Sequence, residues 1–280
     1  MNRKTEVSAS IMAALGETRD ELAPFLNRLD FEALSKHNRG YLGYAQDPAS
    51  KFVDAEMHNH YSIVEYYTQA LARGSSVMEV GFFIPVIPIA LAKLGYQVEA
   101  IEKLAFYGDS LDELVDLASG RYGIRIHDLD ILNDDINMLA SRYDGVILSA
   151  ILEHLNGSPK ALLDRAQILG KQSALFWVSV PNAASLQKRL LMLLRGQPPF
   201  PSISDYYFSD YPFTGHNREY TLRDLTFVLE QSGFSILSLQ GRNRPLSRVR
   251  SPKEYLIQLV SEIGPDSFKQ SLSAVVRKQQ

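Results

Sequence analysis

The chain has 280 residues, 45% hydrophobic and 22% charged, with a net charge of −3. Apolar content this ordinary, with so little net charge, excludes a chain that is mostly disordered. The absence of cysteine excludes disulfides, thiol nucleophiles and Cys-based zinc sites. No apolar run reaches the roughly 18 residues needed to span a bilayer. Met1 to Ala14 carries no secretory signal. The balanced charge argues against nucleic acid as the main partner, so a cytoplasmic enzyme or binding protein is expected.

Residues 1–74 read as helical. Phe52, Val53, Met57, Tyr61, Val64, Tyr67 and Leu71 recur at a helical period between Ser50 and Arg73. Asp47-Pro48 is a start signal and Gly74 a C-cap. Glu56 and His60 share a face of this helix and His58 does not, so no metal site is expected there.

From Ser75 strands and helices alternate. Strands are expected at Ser76–Val80, Gln97–Ile101, Gly123–Ile126, Gly145–Leu148, Ala174–Val180, Phe234–Leu239 and Leu272–Arg277. Helices are expected at Val86–Leu94, Asp109–Ala118, Asp134–Ser141, Pro159–Leu169, Ala184–Leu194, Leu222–Gln231 and Pro252–Ile263, with a long loop over residues 196–220. This alternation implies an α/β fold: a doubly wound, mostly parallel sheet covered on both faces.

In such a sheet the ligand lies beyond the C-terminal ends of the strands. Gly81 follows the first strand and Glu102 ends the second, where a carboxylate can accept two bonds from a ribose diol. Asp128 follows the third strand, Ser149 and the run Ile151 to His154 the fourth, and Pro181-Asn182 the fifth. Taken singly, Glu102 is either a ribose acceptor or a solvated strand end. Asp128 is either an adenine contact or a turn residue.

Val77 to Gly81, with Ala90 to Glu102, resembles the first two motifs of class I S-adenosylmethionine-dependent methyltransferases. Tyr143 to Ser149, Ile151 to Leu155 and Val180 to Asn182 are similar to that family's fourth- and fifth-strand motifs. Gly215 to Thr221, followed by Leu229 to Phe234, is similar to its downstream segment. The resemblance implies a Rossmann-like sheet of seven strands over residues 75–280, with residues 1–74 as a helical cap. It implies S-adenosylmethionine as cofactor and a small-molecule or glycan-like acceptor, methylated at oxygen or nitrogen. Glu102 would then hold the ribose, Asp128 the adenine, and Gly81 with Glu79 the methionine end, with Ser149 beside them. One departure stands out. Where the family has further glycines, this chain has Phe82, Phe83, Ile84 and Pro85. That motivates a second reading, a protein of the same fold that binds or regulates without methylating.

Methyl transfer needs alignment and sometimes a base. His154 and His216 are the base candidates, or else structural histidines. Glu153 is a base, an orienter of His154, or a first-turn glutamate. Residues 200–220 contain seven aromatics in 21 positions, against 10% for the chain: Phe200, Tyr206, Tyr207, Phe208, Tyr211, Phe213 and Tyr220. They read as an aromatic lid in which Tyr206, Tyr207, Tyr211 and Tyr220, with Arg218, touch the acceptor, or else as rings that only anchor a long loop to the body. The basic stretch Arg242, Arg244, Arg248, Arg250 and Lys253 is either a solvated loop or a grip for an anionic acceptor. Leu190 to Leu194 is either a core-facing helix or a lipid contact.

Overall fold

The computed structural model describes residues 3–29, 49–196, 203–208, 213, 215–246, 249 and 251–279. In chain order the elements are α1 (Arg3–Leu26), α2 (Ala49–Ala70), β1 (Ser76–Val80), α3 (Val86–Lys93), β2 (Gln97–Glu102), α4 (Asp112–Asp116), β3 (Arg125–Asp128), β4 (Tyr143–Ser149) and α5 (Pro159–Leu169). Then follow β5 (Gly170–Pro181), α6 (Leu186–Arg195), α7 (Ile203–Phe208), α8 (Leu222–Gln231), β6 (Phe234–Arg242), α9 (Pro252–Ile263) and β7 (Ser271–Lys278). The strands form one sheet in the order β3-β2-β1-β4-β5-β7-β6. β1, β2 and β3 pair in parallel, while β7 runs antiparallel to both β5 and β6. The doubly wound, seven-stranded and mostly parallel arrangement is the one expected. Among the described residues no helix is long and apolar enough to cross a membrane.

The chain divides into two compact units, residues 1–147 with 168–174, and residues 148–167 with 175–280. In the first, α1 buries Ile11, Ala14, Leu15, Thr18, Leu22 and Leu26. Their three- and four-residue steps form one helical stripe, which packs on α2 and α3. α2 is anchored by Tyr67, fully buried, whose hydroxyl donates to the Val146 carbonyl at 2.8 Å. Its ring lies over Gly145, where an added Cβ would stand 2.4 Å from a ring carbon. Gly145→Ala therefore has to displace a packed aromatic. It should lower stability by about 1–3 kcal/mol, the usual cost of overpacking, read as a shift of the urea midpoint at unchanged slope.

In the second unit α8 opens with a capping box, in which Thr221 Oγ1 accepts from the Asp224 N–H and Asp224 accepts from the Thr221 N–H. The helix buries Leu225 and Leu229. α6 and α9 depart from the usual pattern. α6 has no buried side chain, and Met192, Leu193 and Leu194 are exposed, so this run does not face a core. α9 buries only Gln258 and Ser261 while exposing Tyr255, Leu256, Leu259, Val260 and Ile263. Its inner polar groups are satisfied: Gln258 donates to the Arg244 carbonyl, and Ser261 to the Phe268 carbonyl at 2.9 Å. Lys269 Nζ donates to the Ser261 and Glu262 carbonyls near the end of α9.

Three expected elements differ. The helix expected at Asp109–Ala118 is a 3-10 turn (Gly108–Leu111), the short α4 and a π turn (Leu117–Arg121). Gly108, in the left-handed region with φ +53°, opens this broken path. The helix expected at Asp134–Ser141 shrinks to Asn137–Leu139. Here Asp134 accepts from the Asp130 N–H and Asp135 from the Asn137 N–H, bonds that compete with a helical ladder. The loop expected over 196–220 contains the helix α7.

Candidate functional site

In the first unit the ends of β1, β2 and β3 bring three acids together. The parallel register sets Glu102 opposite Asp128, and Glu79 lies one strand away, opposite Ala100. Glu102 is buried. Its Oε2 accepts from the Phe83 N–H at 2.9 Å, and Oε1 from its neighbour Lys103's N–H at 3.0 Å. Burial pushes the carboxyl up to about 7, further raised by Asp128, while the two backbone donors pull the other way. Glu79 is buried as well, and burial together with Glu102 holds it well above the usual carboxylate range. Its Oε2 has no hydrogen-bond partner among the described residues. Asp128 is exposed and accepts from the Leu104 N–H at 2.9 Å.

The loop after β1 is built against this cluster. Gly81 has φ +73° and donates to the Ile101 carbonyl at 2.8 Å. Phe83 has φ +46°, a left-handed conformation that a phenylalanine rarely adopts. The turn aims its N–H at Glu102. Phe82, Phe83 and Ile84 are all buried, and the Phe83 ring stacks on Tyr107 with centroids 5.3 Å apart. So the main chain at Phe83 takes a path that suits glycine, while the side chains fill the interior. Sequence reasoning did not single out Tyr107, an aromatic without any motif around it.

In the second unit the segment after β4 forms a 3-10 turn, Leu152–His154. Bonds from Asn217 and Arg218 tie it to the segment before α8. Asn217 N–H donates to the Glu153 carbonyl at 2.7 Å and Arg218 N–H to the same oxygen at 3.3 Å. Asn217 Nδ2 donates to the His154 carbonyl at 3.2 Å. These ties bring together residues that are about 60 positions apart in sequence. Glu153 is completely buried, and the His154 and His216 rings meet edge to face at 4.9 Å. One carboxylate oxygen of Glu153 and one ring nitrogen of each histidine all lie within 4.8 Å of one another. His216 Nδ1 sits 3.2 Å from Glu219 Oε1, and Glu219 also pairs with Lys188. Burial would raise the Glu219 carboxyl, but its bonds to His216 and Lys188 outweigh that and hold it below the usual range. An anionic Glu219 makes Nδ1 the donor, which leaves the lone pair of His216 on Nε2. Glu219 and Lys188 were not singled out in the sequence. The available signals were that Glu219 lies within the Gly215 to Thr221 segment and three residues beyond His216.

The remaining site residues are placed as follows. Ser149 Oγ is 3.0 Å from Ser179 Oγ. Tyr206 and Tyr207 are exposed on α7, with Tyr206 edge to face on Phe213. Arg218 is exposed, 3.9 Å from Asp224. Tyr220 is fully buried, with its hydroxyl donating to the Leu152 carbonyl at 3.4 Å, so its ring packs the unit. Arg242 stacks over Trp177 and donates to Ser273 Oγ at 2.8 Å. Arg244 lines a cavity of about 160 Å³ with Asn243, Gln258 and Gln270. Tyr211, Phe200, Arg248 and Arg250 lie outside the described residues.

No family model and no curated protein matches this sequence. Solved structures do. The 1,6-didemethyltoxoflavin-N1-methyltransferase of Burkholderia thailandensis, determined with its substrate and S-adenosylhomocysteine, is 17% identical. The match covers 89% of each chain, with a TM-score of 0.53. The chain has the class I methyltransferase fold. The magnesium protoporphyrin IX methyltransferase of Synechocystis, also with S-adenosylhomocysteine, shares the fold at 15% identity and a TM-score of 0.55. It matches over 94% of this chain and all of its own. A small-RNA methyltransferase shares it at 13% identity and a TM-score of 0.56, over 80% of this chain and 25% of its own. The likeness is one of fold, and enzymes named for acceptors as unlike as 1,6-didemethyltoxoflavin, magnesium protoporphyrin IX and a small RNA are built on it.

Proposed function

We propose that the chain is an S-adenosylmethionine-dependent methyltransferase that modifies oxygen or nitrogen of a small-molecule or glycan-like acceptor. The observation that carries the reading is the buried Glu102 carboxyl, locked to the left-handed Phe83 turn at the end of β2. The first-unit residues fit the cofactor. Each Glu102 oxygen accepts one backbone N–H and keeps lone-pair capacity for a ribose hydroxyl. The unpartnered Glu79 Oε2 is a buried polar atom that a bound ligand would satisfy. Asp128 lies opposite Glu102 in the register, which supports its assignment to an adenine amino group. Gly81 opens the loop for the methionine end, with Ser149 assigned to the same ligand.

When bound, S-adenosylmethionine supplies a methyl group on a sulfonium. The acceptor side belongs to Glu153, His154 and His216, which take up or polarise the acceptor's O–H or N–H. Tyr206, Tyr207 and Tyr211, with Arg218, present the acceptor as part of an aromatic lid over 200–220. Tyr220 supports them by packing beneath. Residues 1–74 act as the helical cap and 75–280 as the catalytic α/β domain. The same reading puts the protein in the cytoplasm without a nucleic-acid partner. The test is a calorimetric titration with S-adenosylmethionine and S-adenosylhomocysteine, followed by mass spectrometry of candidate acceptors. One-to-one binding of both ligands is expected. A folded protein that binds neither would instead support the non-methylating reading, which the buried Phe82, Phe83 and Ile84 side chains favour.

A further inference from the structure

We propose that Glu153, His154 and His216 bind a divalent first-row transition cation, which in turn holds the oxygen or nitrogen of the acceptor. Its catalytic role rests on the methyltransferase reading above; ion binding itself stands on these side chains. Three observations converge. First, the donor set is right: a carboxylate and two imidazoles, with one ligand atom from each inside 4.8 Å. Ligands on one such ion are roughly 3–3.5 Å apart, given metal–ligand bonds of about 2.0–2.2 Å, so rotations of about an ångström close the set. Imidazole with carboxylate suits manganese, iron and zinc better than magnesium or calcium.

Second, Glu153 is completely buried. Buried carboxylates are typically paired or metal-bound, and this one lies beside two imidazoles.

Third, the outer groups are those of a metal site. Glu219 holds the His216 ring through Nδ1 at 3.2 Å, the carboxylate–histidine arrangement that orients metal ligands. The backbone bonds from Asn217 and Arg218 to the Glu153 carbonyl hold the His216 loop against the turn bearing the other two ligands. Three protein ligands leave positions open, and an acceptor hydroxyl or amine bound there becomes a stronger acid.

The experiment uses the full-length, untagged protein stripped with a chelator and kept free of cofactor. Mn2+, Zn2+ and Mg2+ are titrated separately by calorimetry, and bound Mn2+ is read by electron paramagnetic resonance. One Mn2+ or Zn2+ per chain is expected, with Mg2+ at least tenfold weaker. His216→Ala and Glu153→Gln should each weaken Mn2+ binding by 30-fold or more, and His154→Gln likewise. Glu219→Gln, which leaves all three ligands in place, should weaken it about tenfold through the orientation of His216. If Glu153→Gln fails to fold, the two histidine variants decide. A folded wild type that binds neither ion, or His154 and His216 variants that bind like the wild type, would overturn the proposal. The titrations contain no cofactor, so their failure leaves the methyltransferase reading standing. Conversely, a protein that ignores S-adenosylmethionine can still show the ion site.

Discussion

Glu102→Ala is expected to weaken binding of S-adenosylmethionine and S-adenosylhomocysteine by at least a hundredfold in a calorimetric titration. Two hydroxyls donating to one ionised carboxylate are worth about 1.5–3 kcal/mol each, so losing both exceeds a factor of 100. The variant also removes the acceptor of the Phe83 and Lys103 N–H groups, which loosens the loop that the ligand rests on. Glu102→Gln keeps the side-chain shape and one acceptor oxygen, and should fall between alanine and wild type. Unchanged affinity in Glu102→Ala would remove this residue from the site.

The same carboxyl makes binding depend on pH. It is pushed up to about 7, so near pH 6 it is mostly protonated and a poorer acceptor, and near pH 8.5 it is ionised. Wild-type affinity should therefore rise through neutrality, by about five- to tenfold, because a charge-assisted bond is roughly twice as strong as a neutral one. Glu102→Gln should show no such rise. Stability runs in the opposite direction. The folded carboxyl titrates near 7 and the unfolded one near 4.5. Below the lower value both states are protonated and the contribution is complete; as pH rises through the window it is lost, to the order of 3 kcal/mol. His60 tilts the other way, since burial pushes it down to about 4 and stability is lost as pH falls. Glu79, raised by burial and by Glu102, tilts the same way as Glu102, so the difference between wild type and Glu102→Gln across pH 4.5–7 reports this coupled pair of carboxyls with the His60 contribution cancelled.

Much of this molecule could be read in the chain because the readable parts are local. The seven strands were found from short apolar runs, and Glu102 and Asp128 were found because strand ends carry the ligand in a doubly wound sheet. Pairing residues across the fold was harder. Nothing in the spacing of Glu153, His154 and His216 announced that one carboxylate and two imidazoles share a few ångströms, because the ties run through backbone carbonyls and an asparagine. The two helices that dissolved did so where Asp side chains or a left-handed glycine outcompeted the helical ladder. The exposed apolar faces of α6 and α9 escaped for a different reason. A helical run of leucines reads as buried, and burial here went to Gln258 and Ser261, whose polar groups find partners.

The first loop is where local rule and observed structure conflict most directly, and there the magnitudes decide. Phe83 in a left-handed conformation costs about 1–2 kcal/mol in backbone strain. Its buried ring, stacked on Tyr107, is worth about 3–5 kcal/mol by comparison with truncation. The ring wins, so the chain tolerates a bulky residue at a backbone position that suits glycine. Phe83→Ala loses the ring and keeps the strain. Phe83→Gly loses the ring and relieves it. Both variants should be less stable than wild type, but glycine should be more stable than alanine by about 1 kcal/mol. That order reverses the usual one, in which alanine in place of glycine gains about 0.4–1 kcal/mol. Urea unfolding of the two variants checks it. Alanine equal to or better than glycine would mean that residue 83 is not held left-handed. The conformation also points the Phe83 N–H at Glu102, so loop and carboxylate should behave as one unit. In a double-mutant cycle Phe83→Gly, which relieves the strain, and Glu102→Ala, which removes the acceptor of that N–H, should then be coupled by about 0.5–3 kcal/mol, as expected of residues that share one bond.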